Sequence, residues 1–131
     1  MRMPKEVKDK ILERGVFLEE NGFVPQENEY GVDYFNGKIK IMAYYERYEN
    51  YSGVDIRFPG NKHFQIAWIA FIRDGVETAQ KELEEKIFVL IEYLERNFDN
   101  ITDFEYCEES GKLLDKYFES EEWQKRKQSA I

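Results

Sequence analysis

The residues able to do chemistry in this 131-residue chain are few and scattered. Histidine, whose ordinary pKa suits proton transfer near neutral pH, occurs once, at His63, directly after the turn residues Asn61 and Lys62. That setting predicts a solvated residue at a strand entry rather than a base. Ser52, Ser110, Ser120 and Ser129 are expected in turns, at a cap or in the tail, and none stands in a nucleophile-elbow context. The lone cysteine, Cys107, lies among Glu105, Tyr106, Glu108 and Glu109. Neighbouring carboxylates raise a thiol pKa and blunt it as a nucleophile, so packing is its expected role. One cysteine also excludes an internal disulfide and a thiolate zinc site of the usual kind. Asp33, Glu46 and Asp55 would offer a glycosidase-like carboxylate pair, but carboxylates are too abundant for that to be specific. The run Asp99-Asn100-Ile101-Thr102-Asp103 lacks the central glycine of a calcium loop. No glycine pattern resembles a phosphate or dinucleotide loop. The expectation is a chain with no catalytic residue, no metal and no cofactor.

Two other features carry information. The first is aromatic density: Tyr30, Tyr34, Tyr44, Tyr45, Tyr48 and Tyr51, with Phe35 and Trp68, in a region that alternates like strands. Tyrosine is over-represented in interface hot spots because a rigid ring brings area and a hydroxyl together. Tyr45, Phe58, Phe64 and Trp68 are expected in the core. Tyr44, Tyr48 and Tyr51 fall opposite the core face or in a turn and are expected to be exposed, as partner contacts. The second feature is charge. The chain is −8 overall, yet Asp99, Asp103, Glu105, Glu108, Glu109, Asp115, Glu119, Glu121 and Glu122 meet only Lys112 and Lys116. Nine acids less two bases leave −7 in under a fifth of the sequence. A charge run is usually a solvated face, but this one also holds Phe104, Tyr106 and Trp123. Acids interleaved with rings suit a basic partner, and Asp103, Glu105, Glu108 and Glu109 are the expected contacts. The same charge argues against nucleic acid and against anionic membranes.

Positioning these residues requires an α+β fold over one domain, 1–131. Pro4 to Glu20 reads as a first helix, with Val7, Ile11 and Leu18 on one face and Asn21-Gly22 as its stop. Four strands follow: Tyr30–Tyr34, Lys38–Tyr48, Val54–Phe58 and Phe64–Ile72. The turns Asn36-Gly37, Glu49–Gly53 and Pro59–Lys62 make them an antiparallel meander. Asp74 and Glu77 have capping-box spacing, and Val76, Ala79, Leu83, Ile87, Leu90, Ile91, Leu94 and Phe98 form the stripe of a long helix lying across the sheet. One or two C-terminal helices complete the chain, one of them capped by Thr102 and interrupted by Gly111. Ser120 would cap the last, which carries Trp123. An apolar fraction of 42% supports a core that buries roughly two-thirds of the unfolded surface. With no secretory leader and no apolar run of membrane length, the expected address is the cytoplasm.

The stretch from Tyr44 to Phe58, Tyr44-Tyr45-Glu46-Arg47-Tyr48-Glu49-Asn50-Tyr51 and onward, followed by Phe64-Gln65-Ile66-Ala67-Trp68-Ile69-Ala70-Phe71-Ile72-Arg73, resembles small immunity proteins encoded beside secreted polymorphic toxins of Gram-positive bacteria. The resemblance covers the central sheet and leaves the acidic C-terminal third outside. It implies a non-enzymatic protein that neutralises a cognate toxin by direct contact, the partner being a toxin domain with basic surface. The competing expectation is a small-ligand-binding module or enzyme with a tyrosine-lined pocket between sheet and helix. A dimerising subunit with an exposed sheet edge is the third.

Overall fold

The computed structural model describes residues 3–46 and 50–129. The chain is α+β, as expected, but the antiparallel meander has five strands in the order β1-β2-β3-β4-β5. They are β1 (Val24–Glu27), β2 (Gly31–Phe35), β3 (Lys40–Glu46), β4 (Tyr51–Phe58) and β5 (Lys62–Gln65). The extra strand, β1, is a short edge strand containing Pro25, and its polar sequence carries no alternation to reveal it.

Strand alternation sorts the side chains as expected. Val32, Tyr34, Ile41, Ala43, Tyr45, Val54, Ile56 and Phe58 are buried on one face. Asp33, Lys40, Met42, Tyr44, Asp55 and Arg57 stand on the other. At the β2–β3 turn only Gly37 has positive φ, at 91°. Asn36 instead accepts the N–H groups of Lys38 and Ile39 on its side-chain oxygen, at 2.9 and 2.7 Å.

The first helix divides at Gly15 into α1 (Lys5–Arg14) and α2 (Val16–Glu20). The glycine is required by a close approach, because a Cβ there would meet the Tyr34 hydroxyl at 2.3 Å. The expected fourth strand is the main correction. Only Lys62–Gln65 is strand, and the chain then turns into α3 (Ile66–Asp74). Ile66, Ile69 and Ala70 are its buried residues, at helical spacing. A short dense apolar run satisfies both periods, so alternation alone chose wrongly. Trp68 consequently leaves the core and is 39% exposed.

Asp74 does not cap the long helix but ends α3, ahead of Gly75 in the left-handed conformation at φ 68°. The long helix, α4, is Leu83–Arg96, shorter than expected. Its stripe of Ile87, Leu90, Ile91 and Leu94 packs over β4 and β3. Each such fully buried side chain contributes about 1.5–3 kcal/mol. Ser52, buried on the same sheet face, donates its hydroxyl to the Leu83 carbonyl at 2.8 Å.

A short turn, α5 (Phe98–Ile101), leads to α6 (Phe104–Phe118), capped by Asp103 rather than Thr102. Gly111 lies within α6 without breaking it. Ser120 caps α7 (Glu121–Ser129) as expected, accepting the Trp123 N–H at 3.2 Å. Phe104 of α6 packs edge-on against Phe58 and Phe64, and Tyr34 donates to the Ile11 carbonyl of α1 at 3.4 Å. Together with the Leu83 contact, these place α1, α4 and α6 on one face of the sheet. No helix among the described residues is long and apolar enough to cross a membrane.

Candidate functional site

Because the helices cover one face, the other face of β3, β4 and β5 is open, and there the polar side chains form a chain of hydrogen bonds. Its centre is Asp55, in the middle of β4 and only 6% exposed. One carboxylate oxygen, Oδ2, lies 2.7 Å from Nε2 of His63. The other, Oδ1, lies 3.0 Å from the Tyr44 hydroxyl. That hydroxyl lies 3.1 Å from the hydroxyl of Tyr51, which is in turn 3.1 Å from Nε2 of Gln65. A phenol has one proton to give. Tyr44 gives its proton to the carboxylate, the strongest acceptor in reach. Tyr51 then donates to Tyr44, and Gln65 donates to Tyr51.

Strand register builds this group. Asp55 pairs with Gln65 and Arg57 with His63, so His63 stands diagonally across from Asp55, within reach of a long side chain. The turn at Gly60 and Asn61, both with positive φ, fixes that register. Tyr44 pairs with Gly53, and a Cβ on Gly53 would meet the Tyr44 hydroxyl at 2.8 Å. The glycine therefore lets the ring lean across β4 toward Asp55. The rings of Tyr44 and Tyr51 lie 5.3 Å apart, centre to centre.

Burial dominates the electrostatics. It raises the Asp55 carboxyl above its ordinary range, and the hydrogen bonds from His63 and Tyr44 and the charges of His63 and Lys86 only partly offset it. Burial, the Tyr51 contact and the Asp55 charge hold the Tyr44 phenol well above the usual phenol range. The group is thus a pre-ordered network with one exposed imidazole, 43% accessible, at one end and the exposed Tyr51 phenol and Gln65 amide at the other. Chemically it can hold and pass a proton, and it can present rigid, oriented donors to a ligand.

The structure separates the residues expected to contact a partner. Tyr44 and Tyr51 are brought together on the open face, Tyr51 exposed and Tyr44 half-buried. Tyr48 lies outside the described residues. Asp103, Glu105, Glu108 and Glu109 belong instead to the cap and first turns of α6, in the helical layer. All four are exposed, but Asp103 is committed to the Glu105 N–H at 3.0 Å. Glu109 stands 3.9 Å from Arg73.

Asp33 and Asp55 do not form a carboxylate pair. They stand two strands apart with Met42 between them, roughly 10 Å by the spacing of strands. Asp33 faces Lys40 at 3.5 Å. Nor do Tyr44 and Tyr51 line a pocket between sheet and helix, since they point away from the helices. A groove of about 640 Å³ opens on the sheet's outer face instead, lined by Val24, Gln26, Asp33, Phe35 and Lys40 among others.

Cys107 is buried as expected, donating to the Ile101 carbonyl at 3.2 Å. Burial first, and the nearby Asp103 charge second, push its thiol up to about 12. Among the described residues no group of three His, Cys, Asp or Glu side chains stands close enough to hold a metal ion.

Asp55, His63 and Gln65 were not among the expected site residues. Their signal was the turn after Phe58: a hairpin there sets His63 beside Arg57 and diagonal to Asp55. Comparisons with known proteins matched no family model, no curated protein and no solved structure.

Proposed function

We propose that this chain is a non-enzymatic binding protein of the immunity type, which neutralises a cognate bacterial toxin by direct contact through the open face of its sheet. The observation that carries this reading is the ordered group of Tyr44, Tyr51, Asp55, His63 and Gln65 on the sheet face opposite the one that α1, α4 and α6 cover. Side chains already held by one another lose little freedom when a partner arrives, which is the chief saving in a tight interface. Tyr51 and His63 supply exposed rings beside oriented donors, the composition of a hot spot. The exposed acids of α6 would steer a basic toxin toward the molecule.

The test is co-expression with the product of the neighbouring reading frame, taken as the candidate toxin. The wild-type chain should rescue growth and co-purify with the toxin, and Tyr51→Ala with His63→Ala should weaken the complex about a hundredfold while leaving the fold intact. Absence of both rescue and complex with the wild-type chain would remove the reading.

A second reading rests on one distance. An imidazole 2.7 Å from a buried carboxylate is the pairing that orients a general base. A small-ligand-binding module or enzyme acting at His63 is therefore the alternative. A metabolite-library thermal-shift screen separates the two: a large shift with a metabolite and no protein partner would favour it.

A further inference from the structure

One step from Asp55 along β4, a second row of side chains crosses the open face. The registers set Val24, Phe35, Lys40, Arg57 and His63 side by side on five successive strands. The β1–β2 end is apolar and exposed, Val24 at 68% and Phe35 at 48%. The β3–β5 end is basic.

Two of its three basic groups are already engaged. Lys40 lies 3.5 Å from Asp33, and His63 is held by Asp55. The Arg57 side chain makes no hydrogen bond or ion pair among the described residues, and its Nε is buried without an acceptor. Among the other described arginines, Arg73 reaches Ser110 and Glu109, Arg96 reaches Glu92 and Arg126 reaches Glu77, while Arg14 lies over the Phe88 ring, 5.2 Å from its centre. With 27 acidic against 19 basic residues, carboxylates are in surplus, yet among the described residues none pairs with Arg57. A guanidinium is planar, and its donors match the two oxygens of a carboxylate. The missing acceptor and the adjoining apolar end together describe what would cover the row.

We infer that Arg57, with Lys40 and His63 on either side, seats an acidic side chain of a protein partner, while Val24 and Phe35 seat an apolar side chain of the same partner. The two partner side chains stand roughly 10 Å apart, the span of two strand spacings from Phe35 to Arg57. This deepens the binding reading above and rests on it, adding that a partner basic overall presents a carboxylate at this seat. A bound carboxylate that draws the guanidinium outward supplies the acceptor it lacks.

The experiment is an NMR titration of the full chain with a blocked Leu-Ala-Glu peptide and, separately, with its Leu-Ala-Gln counterpart. The amides of Phe35, Lys40 and Arg57 and the Arg57 Nε–H are followed. Saturable shifts confined to this row with the Glu peptide are expected, with at least tenfold weaker binding for the Gln peptide and for the Arg57→Gln chain. Lys40→Gln, expected to weaken binding about threefold, serves where Arg57→Gln does not fold. Equal responses to the two peptides, shifts on the helices instead, or tighter binding of inorganic phosphate or oligothymidylate than of the Glu peptide would each overturn the inference. In the rescue assay, Arg57→Glu should lose protection. If the wild-type chain rescues and Arg57→Glu rescues equally, the seat is wrong and the binding reading stands. If the wild-type chain does not rescue, the binding reading falls, and the peptide titration decides the seat by itself.

Discussion

Asp55 shows how much a single carboxylate depends on its neighbours. It occupies the middle of a central strand, and the rings of Tyr44 and His63 close over it. Its carboxyl is raised above the ordinary value of 3.8, with burial as the largest cause. The sign of the pH effect follows from that direction. In the unfolded chain the group ionises first as pH rises past 3.8, while the folded chain keeps the proton longer. Stability is therefore lost as pH rises from 3.8 through the folded value, and the loss is constant above it. Asp55→Asn cannot ionise and should escape this loss. Urea melts of both chains between pH 3 and 7 should show the stability difference moving toward the variant as pH rises, then levelling. His63 is bonded to this carboxyl, so the pair is best compared in a His63→Gln background. There the lowering contribution of His63 is gone, and the wild-type slope should widen. A difference that is flat across this range, or that moves toward Asp55, would contradict the assignment. At this scale the sequence was half legible. The faces of Tyr44 and Asp55 followed from alternation, but the contact with His63 depends on a hairpin register that residue types alone do not state.

Among the elements, α3 and α6 are the pair that sequence reading handled least well, and one side chain joins them. Arg73, in the last turn of α3, donates Nε to the Ser110 hydroxyl at 2.9 Å and an Nη to the Tyr106 carbonyl at 3.3 Å. Its guanidinium also lies 4.1 Å from the centre of the Tyr106 ring. A charged donor in a mostly buried setting contributes more than a neutral one, so Arg73→Leu should destabilise the chain by about 2 kcal/mol. Ser120→Ala removes only the cap of α7 and should cost about 1 kcal/mol. Chemical denaturation of the two variants side by side checks the order; a larger loss for Ser120→Ala would reverse it. The last helix and its serine cap were readable because caps are local chemistry. The identity of α3 was not, because Ile66 to Ile72 is apolar at both periods and only the depth of the site decides between them. The break at Gly15 was hidden for a similar reason: the glycine answers to Tyr34, distant in sequence. The same holds for the boundary of α4, where Asp74 and Glu77 mimic a capping box but serve other partners, Tyr93 and Arg126.

For the whole molecule, charge and shape point in different directions. The open sheet face carries a mixed surface with basic groups in a row, while the acids of the C-terminal third lie on helices of the other layer. A basic toxin gripped by the sheet face would thus feel the acids at a distance and not as direct contacts. Long-range charge acts mainly on the rate of encounter, and contact residues act mainly on the rate of escape. Reversing Glu105, Glu108 and Glu109 together to lysine should therefore slow association with the co-expressed toxin about tenfold at low salt and flatten its salt dependence, with dissociation little changed. Asp103 is left out of the set because it caps α6, and its reversal would unsettle the helix it begins. Tyr51→Ala should do the opposite, speeding dissociation while sparing the salt dependence. Stopped-flow or surface-binding kinetics at two ionic strengths separate these outcomes. If the triple reversal instead speeds dissociation, α6 is in direct contact and the sheet face is not the main interface. If neither rate changes, the acids are a solvated face, and the −8 charge serves the chain's own solubility.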